Sequence, residues 1–237
     1  MFSATFPGGV QRAAHDFLNS YTFVAIGTVG GACHDIQQIV YKVDRYDKTN
    51  KLLEIMREIQ LDEKIIIFCE RKFNSVHLTT ALSNFGFMAT TLNSDMTQRD
   101  RELVLKEFSD GKYQIMVATG IASRGLDIAR VSLVINYDLP ECIEEYIQRI
   151  GRTGRIGNVG KAISFFQDIV DDPLRPKLQS ALRNAGQEVP EWLLQECDLE
   201  EKSLHGSRFP ATDFRRNQQG FLWSSVPAAV EMYEDGW

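Results

Sequence analysis

Short apolar runs alternate with segments of helical spacing along most of the chain. The runs of strand character cover 36–43, 64–69, 87–92, 114–119, 131–137 and 161–166. Between them, apolar residues recur at the spacing of helix faces that pack on a sheet. Thr97 suits a helix N-cap, and Gly86 and Gly111 stand where two of these helices should end. Strand and helix thus alternate about six times, which predicts an α/β fold, a mostly parallel sheet with helices on both faces.

Two more helices are predicted towards the carboxyl end. Pro173 opens one of them and Gly186 ends it. A short last helix covers Pro190 to Cys197. The periodicity is lost after that helix, so residues 198–237 are predicted to form a disordered tail with an acidic, aromatic end.

The most distinctive polar segment is Arg149 to Gly157, which reads RIGRTGRIG after a helix that Pro140 is expected to open. Arginine presents a planar fork of donors matched to phosphate oxygens, and glycine lets the backbone bend so that neighbouring arginines converge on one anion. Apolar periodic segments flank the tract, so it is a loop in a packed domain and not a free Arg/Gly tail. Ligands of parallel sheets bind at the carboxyl ends of the strands. We therefore expect this tract and the loop 119–127 near those ends, or at the helix termini that face them.

Composition narrows the class of protein. The 237 residues are 43% hydrophobic, which is enough for a buried core. Because the net charge is −6, a polyanion would have to bind a local basic patch and not a generally basic surface. The four cysteines are far apart and the four histidines do not cluster, so we expect reduced thiols and no metal site. No apolar run approaches the roughly 20 residues of a membrane span and no signal pattern begins the chain, so we expect a soluble, intracellular protein.

Several short motifs, in their order and spacing, resemble the carboxyl-terminal RecA-like domain of DEAD-box RNA helicases, in particular Vasa-like members. They are FSATFP (2–7), FVAIGTVGGACHDIQQ (23–38), IIIFCERK (65–72), TQRDRELVLKEF (97–108), VATGIASRGLDI (117–128), VINYDLP (134–140) and YIQRIGRTGR (146–155). Each motif alone is weak evidence, whereas the ordered set is strong. The resemblance covers residues 2–194 and implies a RecA-like fold and one half of an ATP-dependent RNA helicase.

The resemblance also implies roles for particular residues in binding ATP. Arg152 and Arg155 match the arginine fingers that stabilise charge in phosphoryl transfer, and Arg149 matches an arginine that braces contacts between two domains. Gly125 and Asp127 match positions of the ATP site. The carboxylate of Asp127 suits ribose hydroxyls, although a helix cap or turn is the other interpretation of that residue.

Three residues, Gln98, Arg101 and Thr119, match positions that hold the RNA backbone without reading bases. Without the surrounding motifs, Gln98 and Arg101 would be interpreted as a solvated helix face. Two departures from the family pattern bear on RNA. Gln148 stands where the family has histidine, which could alter coupling between the ATP and RNA sites. Residues 93–95 read Asn-Ser-Asp in place of His-Gly-Asp, and the lost glycine argues against a close approach of the RNA backbone there.

The chain contains neither a GxxxxGKT phosphate loop nor an Asp-Glu-Ala-Asp run. We therefore expect ATP and Mg²⁺ to be held by an amino-terminal RecA-like domain outside this chain, and the chain alone to be inactive. Residues 1–30 are then a remnant of motif III and the interdomain linker, 31–197 the helicase C-terminal domain and 198–237 the tail. The resemblance implies three partners, namely RNA, the amino-terminal domain of the same helicase and LOTUS-domain germ-granule proteins, with no membrane. It also implies a cytoplasmic location in perinuclear germ granules.

Two other functions would account for part of the sequence. A non-catalytic RNA- or protein-binding module derived from such a helicase remains the alternative, although the retained arginines argue against it. A dinucleotide-binding enzyme is disfavoured, because the glycines follow a helix and no GxGxxG segment joins a strand to a helix.

Overall fold

The structure is a computed structural model that describes residues 8–19, 22, 24, 35–59, 63–120, 131–154 and 159–194. Six strands lie within those residues: β1 (Ile36–Lys42), β2 (Lys64–Cys69), β3 (Ala89–Leu92), β4 (Ile115–Thr119), β5 (Val131–Asn136) and β6 (Gly160–Phe166). The helices of the same part of the chain are α1 (Gly8–Phe17), α2 (Lys48–Glu58), α3 (Lys72–Asn84), α4 (Gln98–Ser109), α5 (Ile143–Ile150), α6 (Arg175–Asn184) and α7 (Glu191–Leu194). A single 3-10 turn, Asp172–Leu174, precedes α6.

All six described strands belong to one sheet, in the order β1-β6-β5-β2-β4-β3, and every pair is parallel. Ile67 in β2 pairs with Val117 on one side and Ile135 on the other, so β2 lies in the interior of the sheet. Because all strands run in the same direction, their carboxyl ends share one edge, where Cys69 and Thr119 are register partners. The predicted parallel α/β fold is confirmed.

Helices cover both faces of the sheet. Ile65 and Ile67 pack with residues of α2 and α3 on one face, whereas Ile66 and Phe68 pack with residues of α4 on the other. On that second face, α5, α6 and α7 cover β1 and β6 in a further apolar cluster. Because β2 is buried on both faces, apolar residues are favoured at every position, and the strand is a continuous apolar run. Each fully buried Ile or Phe contributes about 1.5–3 kcal/mol to the free energy of folding.

Several boundaries differ from the sequence prediction. The helix before the arginine tract begins at Ile143 and not at Pro140, and Pro173 lies in the 3-10 turn with α6 beginning two residues later. Strand β3 begins at Ala89 and not at Phe87, and the Met88 carbonyl just before it accepts the N–H groups of Gln114 and Ile115 (2.9 and 3.1 Å). Helix α1 was not predicted, since paired glycines at its start hide its periodicity.

The predicted tail, 198–237, and the end of the predicted last helix lie outside the described residues. The division of the chain at residues 30 and 197 stays a prediction. Among the described helices none is long and apolar enough to cross a membrane. The described residues also contain no group of three or more His, Cys, Asp or Glu side chains arranged to hold a metal ion.

Thr97→Ala is expected to lower the free energy of unfolding by about 1 kcal/mol, because Thr97 caps α4. Its Oγ1 accepts the backbone N–H of Asp100 (3.2 Å) and donates to the Asp100 carboxylate (2.7 Å). Urea denaturation measures the loss. Thr80→Ala is the matched control, because that hydroxyl bonds the Val76 carbonyl within α3 and its removal should change stability by less than about 0.5 kcal/mol. Equal losses in both variants would contradict the capping role.

Candidate functional site

An unpartnered buried hydroxyl lies at the carboxyl edge of the sheet. Thr119 ends β4 and is 6% exposed, yet its Oγ1 has no hydrogen-bond partner in the described part of the chain. A buried polar group without a partner costs about 1–3 kcal/mol, so folded proteins rarely leave one without a water or ligand to pair with it. The structure thus places at this edge a donor that a polar ligand can satisfy.

The other two RNA candidates lie on the first turn of α4, which follows β3, the neighbour of β4 in the sheet. Gln98 is exposed and its Nε2 donates to Glu102 (2.8 Å), whereas Arg101 is partly buried. A tight turn leads into that helix, with the Asn93 side-chain oxygen accepting the Asp95 N–H (3.0 Å). The fold therefore brings the connections after β3 and β4 to a common edge.

A cluster of charged side chains lies at the same edge, against Gly120. The Arg149 side chain is 6% exposed, donates to the Asp138 carbonyl (2.8 Å) and to Glu145 (2.8 and 3.2 Å), and lies 5.2 Å from the centre of the Phe68 ring. The Asp138 carboxylate accepts from Lys48 Nζ (2.9 Å) and from the Glu70 N–H (3.0 Å). We call Lys48, Asp138, Glu145 and Arg149 the edge cluster. Because its charges are opposite and closely paired, it ties α2 and α5 to the ends of β2 and β5.

The arginine tract itself crosses to the opposite edge of the sheet. The Thr153 hydroxyl donates to the carbonyl of Val131 (2.7 Å), the first residue of β5, with the Ser132 carbonyl at 3.1 Å. Gly154 has a φ of 65°, and a Cβ there would lie 2.6 Å from Cγ1 of Ile36, the first residue of β1. The expected position near the carboxyl ends is therefore wrong for these two residues. Helix α5 runs antiparallel to the strands and is about 12 Å long, which separates its two ends.

Comparison with known proteins supports the resemblance seen in the motifs. Residues 47–157 match the helicase conserved C-terminal domain family. The chain is 45% identical over 228 residues to the ATP-dependent RNA helicase DDX4 of Mus musculus, which covers 93% of this chain and 32% of that protein. It is 47% identical over 193 residues to the ATP-dependent RNA helicase vasa of Drosophila melanogaster, which covers 81% of this chain and 29% of that protein. The chain is a helicase C-terminal domain of the Vasa-like DEAD-box family.

The fold comparison agrees with the family. The crystal structure of the RNA helicase Prp28 of Chaetomium thermophilum bound to ADP superposes with a TM-score of 0.62 at 34% identity, over 81% of this chain and 46% of that chain. The RecA-like helicase C-terminal fold predicted from the sequence is confirmed. The chain spans about a third of the length of the curated relatives that it matches.

In this DEAD-box domain, the described ATP-site candidate is Arg152. It is partly exposed, and its backbone N–H donates to the Arg149 carbonyl (3.1 Å) in the turn that ends α5. The other ATP-site candidates, Gly125, Asp127 and Arg155, lie outside the described residues. Arg149, expected to brace contacts between domains, is bonded to Asp138 and Glu145 of its own domain. The roles of all these residues stay predictions.

Two buried titratable side chains of this helicase domain, Cys69 and Tyr146, are neutral near pH 7. Burial, reinforced by the nearby charge of Asp138, raises the pKa of the Cys69 thiol to about 12. Burial also raises the pKa of Tyr146, whose hydroxyl donates to Gln38 (2.9 Å) in the layer between α5 and β1. Neither group ionises near neutral pH, so Cys69 is a structural thiol and Tyr146 fixes the position of α5.

Sequence reasoning missed the edge cluster and two glycines that shape the site. A Cβ on Gly120 would overlap the Glu145 carboxylate, and a Cβ on Gly160 would lie 2.6 Å from Thr153 Oγ1 and 2.7 Å from Gly154 Cα. The spacing of Glu145 and Arg149, four apart on one helix, is the signal that could have revealed their ion pair. The two glycines had no such signal, because their neighbours are distant in sequence.

Proposed function

We propose that this chain is the carboxyl-terminal half of an ATP-dependent RNA helicase, which supplies arginine fingers to ATP hydrolysis and contacts to the RNA backbone. The observation that carries the RNA-binding part is the buried, unpartnered hydroxyl of Thr119 beside the connections after β3 and β4. A phosphate oxygen would accept its proton, and Gln98 and Arg101 on α4 would hold the adjoining backbone. RNA backbone contacts of this kind bind strands of any sequence.

Arg152 is proposed to neutralise negative charge that develops on the ATP phosphates. ATP would bind between this domain and an amino-terminal RecA-like domain, with Mg²⁺ held there and neutralising charge on the phosphates. The role of this chain is to hold Arg152 in position. The turn that carries Arg152 is fixed by the bond from Thr153 to β5 and by the packing of Gly154 against β1, so the backbone of Arg152 has a rigid base. Arg155, Gly125 and Asp127 are proposed to complete the nucleotide contacts. Without the amino-terminal domain, the chain is proposed to have no RNA-stimulated ATPase activity.

Similarity to Vasa-like proteins underlies two further proposals. We place the protein in cytoplasmic germ granules and name LOTUS-domain proteins as partners. Imaging of the tagged protein in germ cells, and pull-down with a purified LOTUS domain, test these two proposals separately from the enzymatic one.

Thr119→Val is expected to weaken RNA binding by about tenfold or more, because one hydrogen bond to a charged group contributes about 1.5–3 kcal/mol. The same change should stabilise the free domain by up to about 1 kcal/mol, since it removes an unpaired buried hydroxyl. Fluorescence anisotropy with single-stranded RNAs of several sequences measures binding, and urea denaturation measures stability. For the unchanged chain we expect weak binding that falls steeply with salt and varies little with sequence.

Thr90→Val is the matched control, since Thr90 is a buried threonine in the neighbouring strand β3. It should leave RNA affinity unchanged. Tight, sequence-selective binding that salt does not weaken would contradict the proposed backbone contacts. RNA binding without any ATPase activity, even after an amino-terminal domain is supplied, would favour a non-catalytic binding module.

A further inference from the structure

An ion pair joins two connections at the carboxyl edge of the sheet. Nζ of Lys72, the first residue of α3, lies 2.9 and 2.8 Å from the two carboxylate oxygens of Asp95. Lys72 follows β2 and Asp95 follows β3, and β4 lies between those two strands in the sheet. The ion pair therefore links the connections on either side of the strand that ends at Thr119.

The Thr119 side chain lies on the face of the sheet that α3 covers. Alternate side chains of a strand point to opposite faces, and Ile115 and Val117 of β4 pack in the cluster that contains residues of α2 and α3, so Thr119 continues that set. Cys69, the register partner of Thr119, is three residues before Lys72. Three residues span at most about 10 Å and neighbouring strands are about 4.8 Å apart, so the Lys72 backbone lies within about 15 Å of Thr119.

The ion pair of Lys72 is open to competition by another anion. The Lys72 side chain is 59% exposed and that of Asp95 is 62% exposed. Water and salt screen a pair of this kind, so it contributes little to stability and a phosphate can replace the carboxylate at small cost. The Lys48 and Arg149 side chains of the edge cluster are only 6% exposed by contrast, so their pairs do not open as readily.

Two further features favour an anion beside Lys72. Helix α3 has 13 residues, no side-chain cap at Arg71 and no acidic residue in its first turn, so its amino end keeps the positive potential of the helix dipole. The buried Thr119 hydroxyl, without a partner in the described part of the chain, separately indicates a polar ligand at this edge. An RNA backbone at this edge would be attracted by Lys72 and repelled by Asp95.

We infer that Lys72 is a further contact to the RNA backbone, and that Asp95 lowers RNA affinity by competing with phosphate for the Lys72 ammonium group. This inference rests on the proposed function and adds to it a pair of residues that sets the strength of RNA binding. Because the contact is to phosphate, it is independent of base sequence. Competition also predicts that removing the acidic partner strengthens RNA binding.

Asp95→Asn is expected to tighten the binding of single-stranded RNA by about fivefold, the upper end of what an exposed charge pair contributes. Lys72→Gln should weaken binding by about threefold or more. It should also reduce the slope of log affinity against log salt concentration by about 0.7, because one fewer phosphate is neutralised. Fluorescence anisotropy with the whole chain and a single-stranded oligouridylate, over a series of salt concentrations, measures all three effects.

The double variant separates competition for Lys72 from direct repulsion of RNA by Asp95. If Asp95 acts through Lys72, adding Asp95→Asn to Lys72→Gln should change RNA affinity by less than about twofold. A fivefold gain that persists in the absence of Lys72 would show direct repulsion and overturn the inference. Unchanged RNA affinity in Lys72→Gln alone, or weaker binding in Asp95→Asn, would overturn it as well.

Glu107→Gln is the matched control, because it also removes one negative charge that is paired with an exposed lysine, Lys112, at the carboxyl end of α4. RNA affinity should stay within about twofold, since this end of the helix is more than a screening length of about 8 Å from its start. Tightening equal to that in Asp95→Asn would assign the effect to net charge and contradict the competition.

Thr119→Val distinguishes failure of this inference from failure of the proposed function. If Thr119→Val weakens RNA binding and Lys72→Gln does not, the proposed RNA site stands and only the Lys72 contact fails. If the unchanged chain binds no RNA, the RNA-binding part of the proposed function fails and the inference fails with it. The Lys72 and Asp95 variants should unfold at the urea concentration of the unchanged chain, because the pair is exposed.

Discussion

Arg152→Ala is expected to lower ATP turnover by on the order of 10³ or more when this chain is combined with an amino-terminal RecA-like domain. An arginine that reaches the phosphates only when the two domains close stabilises the negative charge of the transition state more than it stabilises bound ATP. Steady-state turnover at saturating ATP and RNA measures the effect. Arg152→Lys should recover little of it, since a lysine ammonium lacks the bidentate fork of the guanidinium.

Arg57→Ala is a suitable control, because Arg57 is exposed in the last turn of α2. Both variants should unfold at the same urea concentration as the unchanged chain. Near-normal turnover in Arg152→Ala would reassign the arginine tract to a structural turn. Turnover by this chain alone that Arg152→Ala abolishes would instead refute the need for a second domain.

Gly160→Ala is expected to cost about 3 kcal/mol of stability, because the added methyl group would meet the backbone of Gly154 and the Thr153 hydroxyl. The site is closed by backbone atoms, so no side-chain rotation relieves the overlap. The variant should also lose ATP turnover in the assembled helicase, since the turn that presents Arg152 must move. Urea denaturation and turnover together measure the two effects.

Gly9→Ala is the matched control for this substitution. Gly9 lies in α1 with nothing within 4 Å of the position of a Cβ, so alanine there should be neutral or stabilising by up to about 1 kcal/mol. A stable Gly160→Ala protein with full turnover would show that the arginine tract tolerates displacement from the ends of β1, β5 and β6.

The order of elements could be predicted because each strand and helix has its own local signal. Continuous apolar runs marked the buried strands, and Thr97 marked the start of α4. Gly86 and Gly111 marked two helix ends, and both have positive φ angles. The family could be predicted because its motifs are local in sequence too.

The arrangement of the site could not be predicted in the same way. The contact between Gly120 and Glu145 and the contact between Gly154 and Gly160 join segments that lie apart in the chain. The place of the arginine tract was wrong for a related reason. A helix that returns along the sheet carries its last residues to the edge opposite the one where it starts, and sequence alone does not state its length or direction with enough accuracy.

The strand order has a consequence for how such a domain can change in evolution. The arginine tract is fastened to β1, β5 and β6, whereas the RNA candidates follow β3 and β4, so the two sets of contacts belong to opposite halves of the sheet. The halves meet where β2 pairs with β5, and the bond from the Glu70 N–H to the Asp138 carboxylate of the edge cluster crosses that seam. Substitutions on the RNA half, such as Asn93-Ser94 in place of the family's His-Gly, can therefore accumulate without disturbing the presentation of Arg152. Residues of the seam have to suit both halves at once.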